Sequence, residues 1–268
     1  MTAPWRFVAA GLVSASAILI FGAQVRPWGY VPLALGVALG LAADRRLGYD
    51  LAIVAVGVGI VSSIPLAADL TNAGIARFAI ALPLAVFIPV ALSRWLLHDR
   101  AITFPMVTGR RWGAPQIWYL ALVVVVGYLI LPFYFIGSGA YLNWPDVRGA
   151  NMIARLFVGV NGVGIWDELF FVCVVFGLFR KHFAVRVANV LQATIFVSFL
   201  WELGYREWGP LLTVPFALIQ GWVFTRAKSL TYVVTAHLLF DAVVFAVLVH
   251  AHDASLFDVF VTAPAVTP

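Results

Sequence analysis

Asp167 and Glu168 stand side by side in GIWDELFFVCVVFGLFR, residues 164–180, a run otherwise apolar until Arg180. His237 and Asp241 stand four apart in TAHLLFDAV, and Glu202 closes SFLWE at 198–202. An ionised side chain in hydrocarbon costs at least about 2.5–3.5 kcal/mol, so each of these groups must be protonated, paired, wet or functional. Residues four apart share a helix face, one turn separated. Asp241 can therefore accept from the His237 imidazole and orient it, as outer carboxylates do. Neighbours on a helix diverge by about 100°, so one of Asp167 and Glu168 can point into a shared centre while the other finds a partner beside it. Two carboxylates near a His can activate a water or hold a divalent cation. The candidate site is thus Asp167, Glu168, Glu202, His237 and Asp241, with Asp167, Glu202 and His237 as candidate metal ligands.

The elements that position these groups are set by composition. The chain has 268 residues, of which 63% are hydrophobic and 11% charged, with a mean hydropathy of +0.99. A soluble domain carries roughly 25% charged residues, so this chain cannot cover a water-facing surface. An all-α, polytopic transmembrane bundle is expected. Spanning takes about 20 mostly apolar residues. Candidate spans fall near 6–25, 28–43, 51–68, 77–97, 116–137, 152–179, 185–204, 209–225 and 229–250. The second is short and the sixth long, giving eight or nine spans. The first apolar stretch is too long for a usual signal-peptide core and reads as a retained span. Residues 1–140 form a helical scaffold, 141–252 carry the ionisable groups, and 253–268 form a short tail.

Basic residues orient the bundle. With nine spans, Arg26, Arg77, Arg148, Arg155 and Arg206 fall on one side and the other twelve of the seventeen, Arg110 among them, on the opposite side. The positive-inside rule then puts the N-terminus in the cytoplasm and the C-terminus outside, with a bacterial inner membrane as the expected location. The pI near 9.7 reflects these dispersed loop charges, and no nucleic-acid partner is expected. Gly and Ala in LALGVALGLAA and VAVGVGIV suit close helix packing. The lone Cys173 excludes an internal disulfide and reads as packing. Asn189, Gln192, Ser198 and Gln220 read as interhelical hydrogen-bond formers, and His98 and His182 as loop residues without a chemical task. Glu202 lies near the outer end of its span and His237 about two turns from the opposite end. Roughly 10–15 Å of depth therefore separates them.

Three stretches, DELFFV at 167–172, SFLWE at 198–202 and HLLFD at 237–241, together with the approach GWVFTRAKSLTYVVTAH at 221–237, resemble the CPBP family of intramembrane proteases. That family includes the CAAX prenyl proteases and bacteriocin-processing proteins. Its pattern is Glu-Glu-x-x-x-Arg, then Phe-x-x-x-His, then His-x-x-x-Asn/Asp, and the resemblance covers about residues 150–250. Glu168, His237 and Asp241 match by type. Asp167 stands where the family has its water-activating Glu, Val172 where it has Arg, and Ser198 and Glu202 where it has Phe and His. The exchanges remove a cation and add an acid, so three or four acids face one His, an excess that protons or a divalent cation would relieve. Oxygen donors with one imidazole suit Mn²⁺ or Mg²⁺ at least as well as Zn²⁺.

The resemblance implies peptide-bond hydrolysis at or within the bilayer on a membrane-embedded or membrane-associated peptide or protein. Asp167, with Glu168, would be general base on a water. His237, oriented by Asp241, would stabilise the oxyanion or ligate metal, and Glu202 would be an auxiliary acid or ligand. Two alternatives stand beside it: a catalytically degenerate member acting as a membrane binding or scaffolding protein, and a proton- or cation-coupled transporter. The second lacks the paired repeats that many transporters show.

Overall fold

The computed structural model describes residues 3–106 and 111–264. Arg110 and part of the Gly-Arg-Arg-Trp-Gly stretch lie outside the described residues. Nine long helical rods fill the rest. The first is α1, Ala3–Ala17, continued by a π-helical segment over Ile18–Gly22. Next come α2, Arg26–Ala43, and α3, Arg45–Ser62. α4, Asn72–Ala91, runs on through a π turn at Leu92–Leu96, and α5 is Ala114–Phe135. The sixth rod is α6, Ala150–Asp167, then a π-helical segment Glu168–Phe176, then the short α7, Gly177–Arg180. The last three are α8, Val185–Leu203, α9, Pro210–Ala227, and α10, Leu230–His252.

Five of these rods are long and apolar enough to cross a membrane by length and composition: Pro4–Gly22, Asn72–Leu96, Ala114–Phe135, Ala150–Arg180 and Leu230–His252. α2, α3 and α9 have 18 residues each. At 1.5 Å per residue each rises about 27 Å, just short of a roughly 30 Å hydrocarbon core.

Caps explain where boundaries depart from the apolar pattern. α3 begins at Arg45 rather than near residue 51 because the Asp44 side chain accepts from the backbone N–H of Arg46 at 3.0 Å and of Leu47 at 3.4 Å. α4 begins at Asn72 rather than 77 because Thr71 accepts from Gly74 N–H at 3.1 Å. Each side-chain oxygen satisfies donors that a helix start leaves orphaned.

Small residues set the helix spacing, as expected in a bilayer. A Cβ on Gly36 of α2 would lie 2.8 Å from the carbonyl oxygen of Ala9 in α1. The site depends on what surrounds the sixth rod. Its π-helical segment packs against α4, α8, α9 and α10, and Phe170 through Phe176 are all buried. α10 packs against α5, α6 and α9. Trp166 donates its indole N–H to the Leu82 carbonyl at 2.6 Å, tying α6 to α4.

Ser198 differs from expectation: its hydroxyl donates to Thr194 O at 2.7 Å within its own helix. Asn189 and Gln192 of α8 do bridge, donating to the Leu218 and Ala217 carbonyls of α9 at 2.7 and 3.1 Å. His182 is no idle loop residue either. Its Nε2 lies 2.6 Å from the buried Asp50 carboxylate of α3, and Nδ1 lies 3.3 Å from Arg6 of α1.

Candidate functional site

Asp167 closes the α-helical part of the sixth rod and Glu168 opens its π-helical part. π turns inside α-helices concentrate at functional sites because they reset the angle at which successive side chains leave the axis. Here the two neighbours reach the same imidazole from opposite ends. His237 Nδ1 lies 2.8 Å from Glu168 Oε1. His237 Nε2 lies 3.8 Å from Asp167 Oδ2 and 3.8 Å from Asp241 Oδ1. All four residues are buried, none more than 4% exposed.

Close approach of α6 to α10 needs Gly164. A Cβ there would fall 2.0 Å from Asp241 Oδ2 and 3.3 Å from His237 Cδ2. Aromatic rings wall the imidazole: Phe216 meets it edge-on with centroids 4.9 Å apart, and Phe196 lies 6.3 Å away.

Gln220 of α9 completes the constellation. Its Nε2 donates to Glu168 Oε1 at 2.7 Å and to the Val233 carbonyl at 3.3 Å. As a carboxylate, Glu168 accepts on Oε1 from both the Gln220 amide N–H and the imidazole Nδ1–H. Nδ1 is thereby committed to Glu168, and Nε2 faces Asp167 and Asp241. Sequence reasoning classed Gln220 as an interhelical bridge and did not connect it with Glu168. Its position, on the helix before His237 and at membrane depth, was the available signal.

Asp167, His237 and Asp241 line a cavity of about 670 Å³, as do Leu82, Phe87 and Val158. Glu168 does not line it. The expected division of the adjacent acids is therefore what the side chains adopt: Asp167 faces the shared space and Glu168 is bonded behind it. Asp167 Oδ1 and Asp241 Oδ2 make no hydrogen bond within the protein. Buried carboxyl oxygens seldom stay without partners, so these lone pairs are open to a proton, a water or a substrate group.

The structure does not bring Glu202 to this cluster. Glu202 Oε1 accepts from Arg26 at 2.7 Å and from the Leu66 N–H at 3.2 Å, and Arg26 also donates to the Ile64 carbonyl at 3.0 Å. Glu202 instead ties the end of α8 to the start of α2 and to the segment that follows α3. Asp167, Glu202 and His237 consequently do not form a ligand trio. Among the described residues no three His, Cys, Asp or Glu side chains are arranged to hold a metal ion. The role expected of Asp241 passes in part to Glu168, which makes the short bond to the imidazole.

Residues 149–243 match the family model described as Type II CAAX prenyl endopeptidase Rce1-like. No curated protein and no solved structure matches the chain. The matched segment spans α6 to α10 and contains the whole His237 cluster, Gln220 included. The chain therefore carries an Rce1-like domain over residues 149–243, consistent with the CPBP family that its motifs resemble.

Proposed function

We propose that this chain is an intramembrane peptidase whose nine rods all cross the bilayer and whose cavity admits a peptide from a membrane-embedded or membrane-associated protein. The observation that carries the reading is the gathering of Asp167, Glu168 and Asp241 around His237, two of them on the wall of an apolar cavity. The family match supports the reaction class.

In this reading a water sits between Asp167 Oδ2 and His237 Nε2, a gap too long for a direct hydrogen bond and suited to a bridging molecule. Asp167, one methylene shorter than the glutamate of the family pattern, takes a proton from that water. The water oxygen attacks the carbonyl carbon, the carbonyl π bond breaks, and a tetrahedral oxyanion forms. His237, its Nδ1–H held by Glu168, acts as the imidazolium among three carboxyl groups, and its Nε2–H donates to the charge that develops, an arrangement that acts strongly in a dry site. The C–N bond then breaks and the proton held by Asp167 goes to the leaving amine. No step of this reading is routed through a metal.

The test is cleavage of single-span membrane peptides by the purified chain in lipid, followed by mass spectrometry of the products. Asp167→Asn should lower turnover by about 10²–10⁴, the usual contribution of a positioned base, while elution and melting stay as in the parent. Asp167→Glu should retain turnover. Cleavage that survives Asp167→Asn would exclude the assignment. Lack of cleavage by the parent across a varied peptide set would favour the degenerate, binding-only reading, to which the exchanged motif positions also point.

A further inference from the structure

The cavity extends well beyond the His237 cluster. At one end its wall includes Asp69, Leu70 and Arg155, and at the other Phe104 and Met106. Between them it is a slot flanked by α4 and α6, open sideways. Phe87 of α4 and Val158 of α6 both line it and are 69% and 67% exposed. In a bilayer those faces meet lipid chains, so the slot is continuous with hydrocarbon.

One cation stands at its mouth. The half-buried Arg155 donates through Nε to Asn151 Oδ1 at 2.7 Å and through Nη1 to the Leu70 carbonyl at 3.0 Å. Both acceptors are neutral, and among the described residues no carboxylate pairs with Arg155. Of the other arginines expected on that side, Arg77 is paired with Asp69 at 2.5 Å, Arg26 with Glu202 at 2.7 Å and Arg148 with Asp146 at 3.4 Å, while Arg206, paired with no carboxylate among the described residues, does not line the slot. Asp69 also lines the slot, yet its charge is met by Arg77, so Arg155 leaves the mouth with an uncompensated positive charge. Arg155 lies five residues into α6, about 7.5 Å from its start. With the start of α6 placed at the membrane surface, Arg155 falls in the polar headgroup region, some 5–8 Å thick on each side of the hydrocarbon. Asp167 lies about 18 Å deeper on the same helix.

We propose that the slot is a binding site for an acidic phospholipid, with the phosphate accepting from Arg155 and one acyl chain lying in the apolar channel between α4 and α6. Charge complementarity at the mouth, apolar walls below it and a sideways opening select this occupant over a soluble anion, which would gain nothing from the channel. Lipid in the slot and peptide at Asp167 draw on the same volume, so occupancy by lipid limits access to the His237 cluster.

The test requires no cleavage assay and so is independent of the proposed reaction. The purified full chain is titrated in detergent with phosphatidylglycerol, and separately with phosphatidylcholine of the same acyl chains, and bound lipids are counted by native mass spectrometry. The parent should prefer phosphatidylglycerol. Arg155→Gln should weaken it roughly fivefold, the worth of one basic residue at an anionic surface, and Arg155→Lys should retain the preference. Gly162→Leu should weaken both lipids, since Gly162 lines the slot and a Cβ there meets nothing within 4 Å. Arg148→Gln, an exposed arginine outside the slot, should change neither. Glycerol 3-phosphate should not displace the lipid. Equal affinity for the two lipids, no effect of Arg155→Gln, or an equal loss in Arg148→Gln would overturn the proposal. Displacement by glycerol 3-phosphate would likewise overturn it in favour of a free-anion site.

Discussion

Replacing Gln220 by Met isolates the contact that holds Glu168. Gln220 is 1% exposed, and its amide N–H to Glu168 Oε1, at 2.7 Å, is one of two donors on that oxygen. Met keeps the side-chain length and approximate volume, so the lost hydrogen bonds dominate. A hydrogen bond to a charged group contributes about 1.5–3 kcal/mol, a neutral one about 1 kcal/mol. Gln220→Met should therefore destabilise the parent by about 2–3 kcal/mol. In a Glu168→Gln background the acceptor is neutral, and the same substitution should cost only about 1 kcal/mol. The difference, about 1–2 kcal/mol, exceeds the roughly 0.3–0.5 kcal/mol scatter of independent sites. Reversible unfolding of the four variants in mixed micelles of dodecyl sulfate, read by tryptophan fluorescence, measures it. Additive costs, or a loss below about 0.5 kcal/mol for Gln220→Met alone, would refute the claim that Gln220 acts through Glu168.

Three further outcomes follow from the geometry. Gly164→Ala should destabilise by about 1–3 kcal/mol, the usual cost of overpacking, because its Cβ would lie 2.0 Å from Asp241 Oδ2; adding Asp241→Ala should restore most of the loss in the same unfolding assay. Glu202→Gln should lower stability by about 1–3 kcal/mol, less than a fully buried pair because Arg26 is 30% exposed, and should leave peptide cleavage rates unaltered, as Glu202 stands apart from His237. At the other end, the Lys181 ammonium bonded to Asp99 holds the Asp99 carboxyl below its usual 3.8. A depressed folded-state value means stability present above that pH and lost as acid titrates the folded carboxylate. Thermal melts should thus fall below about pH 4, and Asp99→Asn should flatten that acid limb; an unchanged limb would remove Asp99 from the account.

Much of the site was legible because a bilayer penalises charge so strongly. Asp167, Glu168, His237 and Asp241 stood out against hydrocarbon, the spacing of His237 and Asp241 put both on one face, and the structure assembles all four. The helical, membrane-crossing character was legible for the same reason, while helix starts were not, since Asp44 and Thr71 act through capping bonds that an apolar window does not weigh.

The misplacement of Glu202 and the oversight of Gln220 have one physical origin. A charge-based reading ranks residues by what they cost in oil, and by that measure Glu202 belongs with the acids and Gln220 with the glue. Cost is only half of the matter, because a group is placed by its partner. Glu202 sits at the depth where Arg26 can neutralise it and the Leu66 N–H can bond it. Glu168 has no cation within reach in its own motif, where Val172 occupies the arginine position of the resembled family, and a neutral amide from α9 supplies the missing donor. An amide orients a carboxylate without cancelling its charge. The His237 cluster therefore keeps an acidic excess that an arginine would have removed, and that excess is held by a single buried side chain two helices away in the sequence from Glu168.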